Sequence, residues 1–295
     1  MRVFVTGATG FIGSTVVTDL IAAGHQVLGL ARSDAGADAL AAAGAQVQRG
    51  DLEDLDSLRR GAAAADGVIH TAFIHDFTRF AHNSEIDRRA IEALGAALHG
   101  SARPLVVTAG IFPTPGRPTT EDDLPPSGQR LTPRVSEETA LALAERGLRV
   151  SVLRLPQVHD RRRQGLVTSL FAIARAKGVA AYLGDGLNRW AAVPRADVAA
   201  LYRLALEKGA VGARYHAVAE EGVAMREIVQ AIGRRLGVAV ESLSAQQAGD
   251  YFGPFAGFAG MANPASSVLT RQRLGWRLGQ HPGLIADLDT AEFDD

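Results

Sequence analysis

The sequence predicts an α/β fold: a doubly wound parallel sheet with a smaller C-terminal lobe suited to holding a substrate. Three observations predict it. Apolar runs rich in β-branched residues alternate with longer alanine- and leucine-rich stretches up to Leu155. Several of the runs, such as Val3–Val5 and Val27–Leu30, are continuously apolar, as strands covered on both faces must be. The first run passes through a glycine-rich turn directly into an apolar stretch of helical length, which is how a βαβ unit begins.

In order, Arg2–Thr6, Gln26–Ala31, Ala45–Gln48, Gly67–Thr71, Pro104–Thr108 and Arg149–Leu155 read as buried strands. Ile12–Ala23, Ala35–Ala43, Leu55–Ala64, Ser84–His99 and Ser136–Arg146 read as the helices between them. After Leu155 the rhythm changes. Arg161–Arg163 is a basic loop, Leu166–Lys177 is helical, and Asp197–Glu207 is a helix with an acid at its start and a lysine just beyond it. Arg214–Val218 can return a strand to the sheet, and Ala224–Leu236 is an amphipathic helix. Gly249–Met261, rich in glycine and phenylalanine, reads as a loop. The expected division is a domain of residues 1–158, rejoined by 190–218, and a smaller lobe of 159–189 and 219–295.

Composition narrows the function. The 295 residues carry 31 Lys+Arg against 32 Asp+Glu, which argues against nucleic acid as the main partner, because phosphate binding needs a concentrated positive field. Zero cysteines exclude disulfides, thiolate catalysis and thiolate zinc sites. No His/Asp/Glu cluster has metal-ligand spacing, and Gly-x-Ser-x-Gly is missing, which removes the serine-hydrolase reading. No apolar run approaches the ~20 residues of a membrane span. Met1–Thr6 already reads as a strand rather than a signal peptide, so a soluble cytoplasmic protein with a small-molecule substrate is expected.

The first strand ends in Thr6-Gly7-Ala8-Thr9-Gly10-Phe11-Ile12-Gly13. A pyrophosphate there meets backbone N–H groups and the positive end of a helix dipole. Glycines are needed because a Cβ would block the turn, the phosphate or the strand–helix packing.

This spacing resembles the extended and atypical short-chain dehydrogenase/reductases, an epimerase/dehydratase-like family with a Rossmann sheet, and the resemblance covers most of the chain. Asp51-Leu52 stands where the family places a pair beside the adenine, and His70-Thr71-Ala72 resembles its loop after the fourth strand. Leu153–His159 is similar to the segment that contacts the nicotinamide; Gly184-Asp185-Gly186 with Val193–Val198, and Leu274-Gly275-Trp276, are similar to later family motifs. The resemblance implies dinucleotide contacts from Thr6, Gly7, Thr9, Gly10, Phe11, Ile12, Gly13, Asp51, Leu52, Thr71, Ala72, Pro156, Gln157 and Val158. Strand two ends Ala31-Arg32-Ser33-Asp34. Arg32 can grip a 2′-phosphate and Ser33 add a hydrogen bond, so NADP(H) is preferred; Asp34 keeps NAD(H) open.

The family's Tyr-x-x-x-Lys proton relay is absent. The tyrosines are Tyr182, Tyr202, Tyr215 and Tyr251, none followed four places on by a lysine, and the only lysines are Lys177 and Lys208. Aligned by the helix start, Pro133 takes the tyrosine position and Glu137 the lysine position; Gly110 replaces the usual serine, with Thr108 two residues earlier. The replacement candidates are His159, just past the nicotinamide-contacting segment, His75 after strand four, Thr108 and Tyr182. Arg161–Arg163 suits an acidic substrate or plain solvation; Tyr251–Met261 suits an apolar cap or an interface. Two apolar stripes on Ser84–His99, one of Ile86, Ala90, Leu94 and Ala97 and one of Ile91 and Leu98, suggest a homodimer. The expected function is an NADP(H)-dependent oxidoreductase for a small carbonyl, alcohol or imine; a non-catalytic dinucleotide sensor and a sugar-nucleotide epimerase or dehydratase are the alternatives.

Overall fold

The computed structural model describes residues 1–125 and 132–292; the end of the expected C-terminal lobe, 293–295, lies outside the described residues. Through the first half, strands and helices alternate: β1 (Arg2–Thr6), α1 (Phe11–Ala22), β2 (Gln26–Ala31), α2 (Asp34–Ala42), β3 (Gln46–Arg49), α3 (Leu55–Ala63), β4 (Gly67–His70), α4 (Phe80–Leu98), β5 (Leu105–Gly110), α5 (Ser136–Glu145) and β6 (Val150–Leu155). The remainder comprises β7 (Gln157–His159), α6 (Val167–Lys177), β8 (Val179–Leu183), β9 (Arg189–Pro194), α7 (Arg195–Lys208), β10 (Arg214–His216), β11 (Glu220–Ala224), α8 (Met225–Leu236), β12 (Ala239–Leu243), α9 (Ala245–Phe252), α10 (Ala256–Ala259), α11 (Val268–Leu274) and α12 (Leu284–Asp289).

Seven parallel strands form the central sheet in the order β10-β6-β5-β4-β1-β2-β3. The doubly wound parallel sheet predicted from the sequence is therefore the fold. Strand order reverses between β1 and β4, and the crevice beyond their carboxyl ends is where such sheets bind ligands. Alternate strand residues serve two cores. Val3, Val5, Ile69, Val106 and Leu153 pack with Val16, Val17 and Leu20 of α1 and with Leu201 and Ala205 of α7. Phe4, Val68, Leu105, Val107 and Val152 pack on the other side with Leu58 of α3, Leu94 of α4 and Leu143 of α5.

The later residues build a third core, in which Leu170, Phe171, Trp190, Ile228, Leu284 and Leu288 meet. Two small sheets, β11-β9-β7 and β12-β8, frame it. The expected return to the main sheet supplies β10, whereas β9 joins the small sheet beside β7. Gly249–Met261 is not the loop that its glycines suggested. Ser244 and Gln247 form a capping box that starts α9, a 3-10 turn follows at Gly253–Phe255, and α10 completes the stretch. Burial of Phe252 and Ala259 outweighs the weak helix propensity of glycine there. Both apolar stripes of α4 are consumed within the chain: Ile86, Ala90, Ile91, Leu94 and Leu98 are all buried. The outward face carries Arg88 and Arg89 paired with Glu85 and Glu92. Among the described residues no helix is long and apolar enough to cross a membrane, and no cluster of His, Asp and Glu could hold a metal ion.

His216 pins the edge strand β10 to the C-terminal segment. Its Nδ1–H donates to the Ser266 carbonyl at 2.9 Å, and its Nε2 accepts from Arg154 Nη1 at 3.2 Å. Burial first, and then the Arg154 charge, push its pKa from 6.5 to about 3. The unfolded chain takes up this proton as pH falls through 6.5, while the folded chain resists until about 3, so stability is lost across that window. Between pH 7 and pH 5 this residue alone should cost about 2 kcal/mol of stability. Urea unfolding of wild type and His216→Gln at both pH values checks this: the variant is expected to be less stable at neutral pH but to lose about 2 kcal/mol less on acidification.

Candidate functional site

A cleft of about 1020 Å³ opens over the carboxyl ends of β1, β2, β4, β5 and β6, at the upper end of the ~300–1,000 Å³ usual for ligand sites. Its floor is the glycine loop. Gly7 has φ +67° and its missing Cβ would sit 2.7 Å from Ala72 N and from Thr71 Oγ1, so only glycine lets the loops after β1 and β4 touch. A Cβ on Gly13 would lie 2.0 Å from the Gly7 carbonyl oxygen; Gly13 is what lets α1 seat against the loop. Gly10 caps α1 without a side-chain hydrogen bond, and the first turn carries no acidic residue. The positive helix end therefore faces the cleft uncompensated, a fit for the pyrophosphate of a dinucleotide.

Gly7, Thr9, Gly10, Phe11, Ile12, Gly13, Arg32, Asp51, Leu52, Thr71, Ala72, Pro156, Gln157 and Val158 all line this cleft. Thr6 and Ser33 do not. Thr6 is fully buried and its hydroxyl lies 2.8 Å from His70 Nδ1; Ser33 Oγ is the N-cap of α2, accepting from Gly36 N at 3.2 Å. Arg32 is exposed in the lining of the cleft, while Asp34 points to an ion pair with Arg49 and is not part of the lining.

Of the four catalytic candidates, His75 and Thr108 line the cleft and His159 and Tyr182 do not. His159 is fully buried in β7, whose pairing with β9 turns it toward the C-terminal segment; Nδ1 lies 2.6 Å from Asp287 Oδ2 and Nε2 lies 3.7 Å from Glu220. It anchors α12 rather than serving as the acid expected from its sequence position. Tyr182 lies on β8 among the apolar residues of the third core. Thr108 has its hydroxyl committed: Oγ1 donates to the His70 carbonyl at 2.6 Å, so at 2.6 Å from Tyr202 Oη it accepts. Burial pushes the Tyr202 phenol up, which keeps it a donor. His75 Nδ1–H donates to the Phe73 carbonyl at 3.1 Å, which leaves Nε2 as its acceptor. His75 is exposed at the cleft, where desolvation by the surrounding wall, and then the Arg134 charge, lower its pKa from 6.5.

The structure adds residues that sequence reasoning passed over. Among the described residues neither Pro133 nor any tyrosine or lysine lines the cleft; Arg134, one residue further on, does. Its Nε–H donates to Ser136 Oγ at 2.6 Å, its Nη2–H donates to the Thr108 carbonyl at 3.0 Å, and its guanidinium lies 4.2 Å from the centre of the Phe73 ring. Ser136 in turn donates to Asp87 Oδ2 at 2.5 Å, and Asp87 Oδ1 accepts from His70 Nε2 at 3.0 Å. Against the upward pull of burial, the His70 hydrogen bond and the His70 and Arg134 charges hold the Asp87 carboxyl below its ordinary value. Glu137 lines the cleft with its carboxylate clamped by the buried Arg154 guanidinium at 2.7 and 2.5 Å. The place of Arg134, just before a helix whose family counterpart begins with the catalytic tyrosine, was the signal available in the sequence.

The family model described as the NAD dependent epimerase/dehydratase family matches residues 3–218. An uncharacterized protein of Schizosaccharomyces pombe, C2A9.02, is 48% identical over 98% of both chains. A 2-alkyl-3-oxoalkanoate reductase of Stenotrophomonas maltophilia is 28% identical over 78% of this chain and 74% of its own. Among solved structures, a nucleoside-diphosphate-sugar epimerase of Pseudomonas aeruginosa superposes with a TM-score of 0.75 at 22% identity, covering 99% of this chain and 96% of that one.

Gly10 has backbone angles open to any residue, and its Cβ would meet only the Gly7 carbonyl oxygen, at 3.1 Å. Gly10→Val is therefore expected to fold. Its branched side chain stands where the phosphates belong, and overpacking of ~1–3 kcal/mol predicts about a ten- to hundredfold loss of dinucleotide affinity. Fluorescence titration with NADPH and NADH, alongside circular dichroism, checks both halves.

Proposed function

The chain belongs to the NAD dependent epimerase/dehydratase family, and from that membership we propose that it is an NADP(H)-dependent oxidoreductase acting on a small carbonyl, imine or alcohol. The observation that carries this reading is the make-up of the cleft. A glycine loop built for phosphate lies at one end, and at the other an apolar chamber contains one histidine and one fixed guanidinium. The family-level reductase similarity supports it. Bound along the cleft, the dinucleotide supplies or accepts the hydride. The chain's own residues bind, orient and handle the proton.

The NADP(H) preference rests on the adenine end. Arg32 lines the cleft and makes no ion pair among the described residues, while Asp34, the residue that would favour NAD(H), is engaged by Arg49. An unpaired guanidinium matches a 2′-phosphate with charge-assisted hydrogen bonds. Arg32→Ala should lose ~1.5–3 kcal/mol of NADPH affinity and little NADH affinity. Equal losses for both nucleotides overturn the preference.

His75 is the proton-handling residue of this reading. Neutral, with Nδ1–H held by Phe73, it presents Nε2 as a base for an alcohol proton. In the direction of carbonyl reduction only its protonated fraction donates, and that fraction grows as pH falls toward a pKa below 6.5. NADPH oxidation against a panel of ketones and imines should therefore accelerate on acidification. His75→Phe should abolish that limb and lower turnover ~10²–10⁴-fold, with NADPH affinity unchanged. A flat profile with no loss in the variant makes water the donor.

A further inference from the structure

Past the Gln157–Val158 segment the cleft ends in a chamber whose walls describe what it can hold. Phe77 packs edge-on against Phe80 at 5.2 Å between ring centres, and Phe73 against Phe80 at 6.1 Å. Phe258 of α10 reaches across from the C-terminal lobe to within 6.1 Å of Phe77. Phe77 is 45% exposed, a large apolar surface left open at the chamber mouth. Such walls pair with an apolar body.

Arg134 stands against this apolar lining. Ser136, the Thr108 carbonyl and the Phe73 ring hold its guanidinium on three sides, while Nη1 makes no hydrogen bond among the described residues. A fifth of the side chain remains exposed. The nearest carboxylate, Asp87 at 3.9 Å, already accepts from His70 and Ser136. The other acids on the wall are engaged: Glu137 by Arg154, and Glu138 by an interaction of its own. Arg163 lines the same cleft without an ion pair among the described residues, and its charge and that of Arg134 both reach His75. The chamber therefore sets a cluster of phenylalanines beside a positive base, and Arg134 is immobilised before any ligand arrives, which reduces the ordering cost of binding.

We propose that this chamber binds an apolar-bodied carboxylate, with Arg134 pairing the carboxylate and the phenylalanines enclosing an aromatic or branched alkyl body. Resting on the oxidoreductase reading, the substrate class is then an apolar oxo acid or the matching hydroxy acid. The planar fork of arginine suits a carboxylate better than a point charge does.

Calorimetric titration with 3-phenylpropionate and its neutral isostere 3-phenylpropionamide, with and without saturating NADP⁺, tests the chamber apart from any turnover. The acid is expected to bind about ten- to hundredfold more tightly than the amide. Arg134→Gln should erase that preference, Arg134→Lys should keep a reduced one, and Phe77→Ser should weaken acid and amide alike. NADP⁺ affinity, measured on each variant, should stay at the wild-type value and reports that the fold is intact. The wild-type comparison needs no variant: equal affinity for acid and amide, or binding of neither, overturns the proposal, as does a preference that survives Arg134→Gln. If the Arg134-dependent preference holds and no phenyl-bearing oxo acid oxidises NADPH, the carboxylate chamber stands and the oxidoreductase reading falls.

Discussion

His70, buried at the carboxyl end of β4, uses both ring nitrogens to bind together the parts from which the cleft is made. Nδ1 meets Thr6 at the end of β1, and Nε2 meets Asp87 on α4. From Asp87 the chain of hydrogen bonds continues through Ser136 at the head of α5 to Arg134, and back to the sheet at the Thr108 carbonyl. Five elements on both sides of the strand-order reversal are thus held in register by charge-assisted contacts in a water-poor interior. A buried polar group left without its partner costs more than the partnered bond contributes, so such a network tolerates one arrangement. The glycine loop inherits its position from this arrangement, because Thr6 and Thr71 are its immediate supports.

The same network explains how the cleft can dispense with tyrosine and lysine. A lysine beside a tyrosine lowers the phenol's pKa by placing positive charge next to its ionised form. Here Glu137 stands in the lysine region, and its negative charge is cancelled by Arg154 rather than offered to the cleft. Positive charge instead comes directly from Arg134, a group that stays protonated. In the proposed reading, the electrostatic demand of a developing oxyanion or a carboxylate falls to this different residue, one position removed.

The C-terminal lobe is attached to the sheet through buried polar side chains as well as apolar packing. His159 holds Asp287 of α12, and Glu121 accepts from both the backbone and the hydroxyl of Thr270 at the head of α11. Trp276 is buried and donates from its indole N–H to the Asp197 carbonyl at 3.1 Å. Asn188 donates to the Ala259 and Met261 carbonyls and Trp190 to the Met261 carbonyl, so residues remote in sequence hold Phe258 and Met261 against the cleft.

The sequence by itself determined the sheet, its parallel winding, the glycine loop and most of the lining of the cleft around it. These are written in local signals: apolar periodicity, and glycines at positions where a Cβ would collide with a neighbouring loop. It determined equally that the usual proton relay is missing, since that requires only counting residues. What tertiary structure decided was the fate of the ionisable side chains. His159 and His75 have similar local strings, each four residues before an arginine, yet one is sealed against Asp287 and the other lines the cleft. Thr6 likewise sits at a promising position and spends its hydroxyl on His70. Arg134 gains its place only when α4, α5 and β5 converge around it. The physical reason is that a strand or helix is specified by neighbours in sequence, whereas the direction, pKa and availability of a polar side chain also depend on partners that only the folded chain brings near, as Asp287 is to His159, 128 residues away.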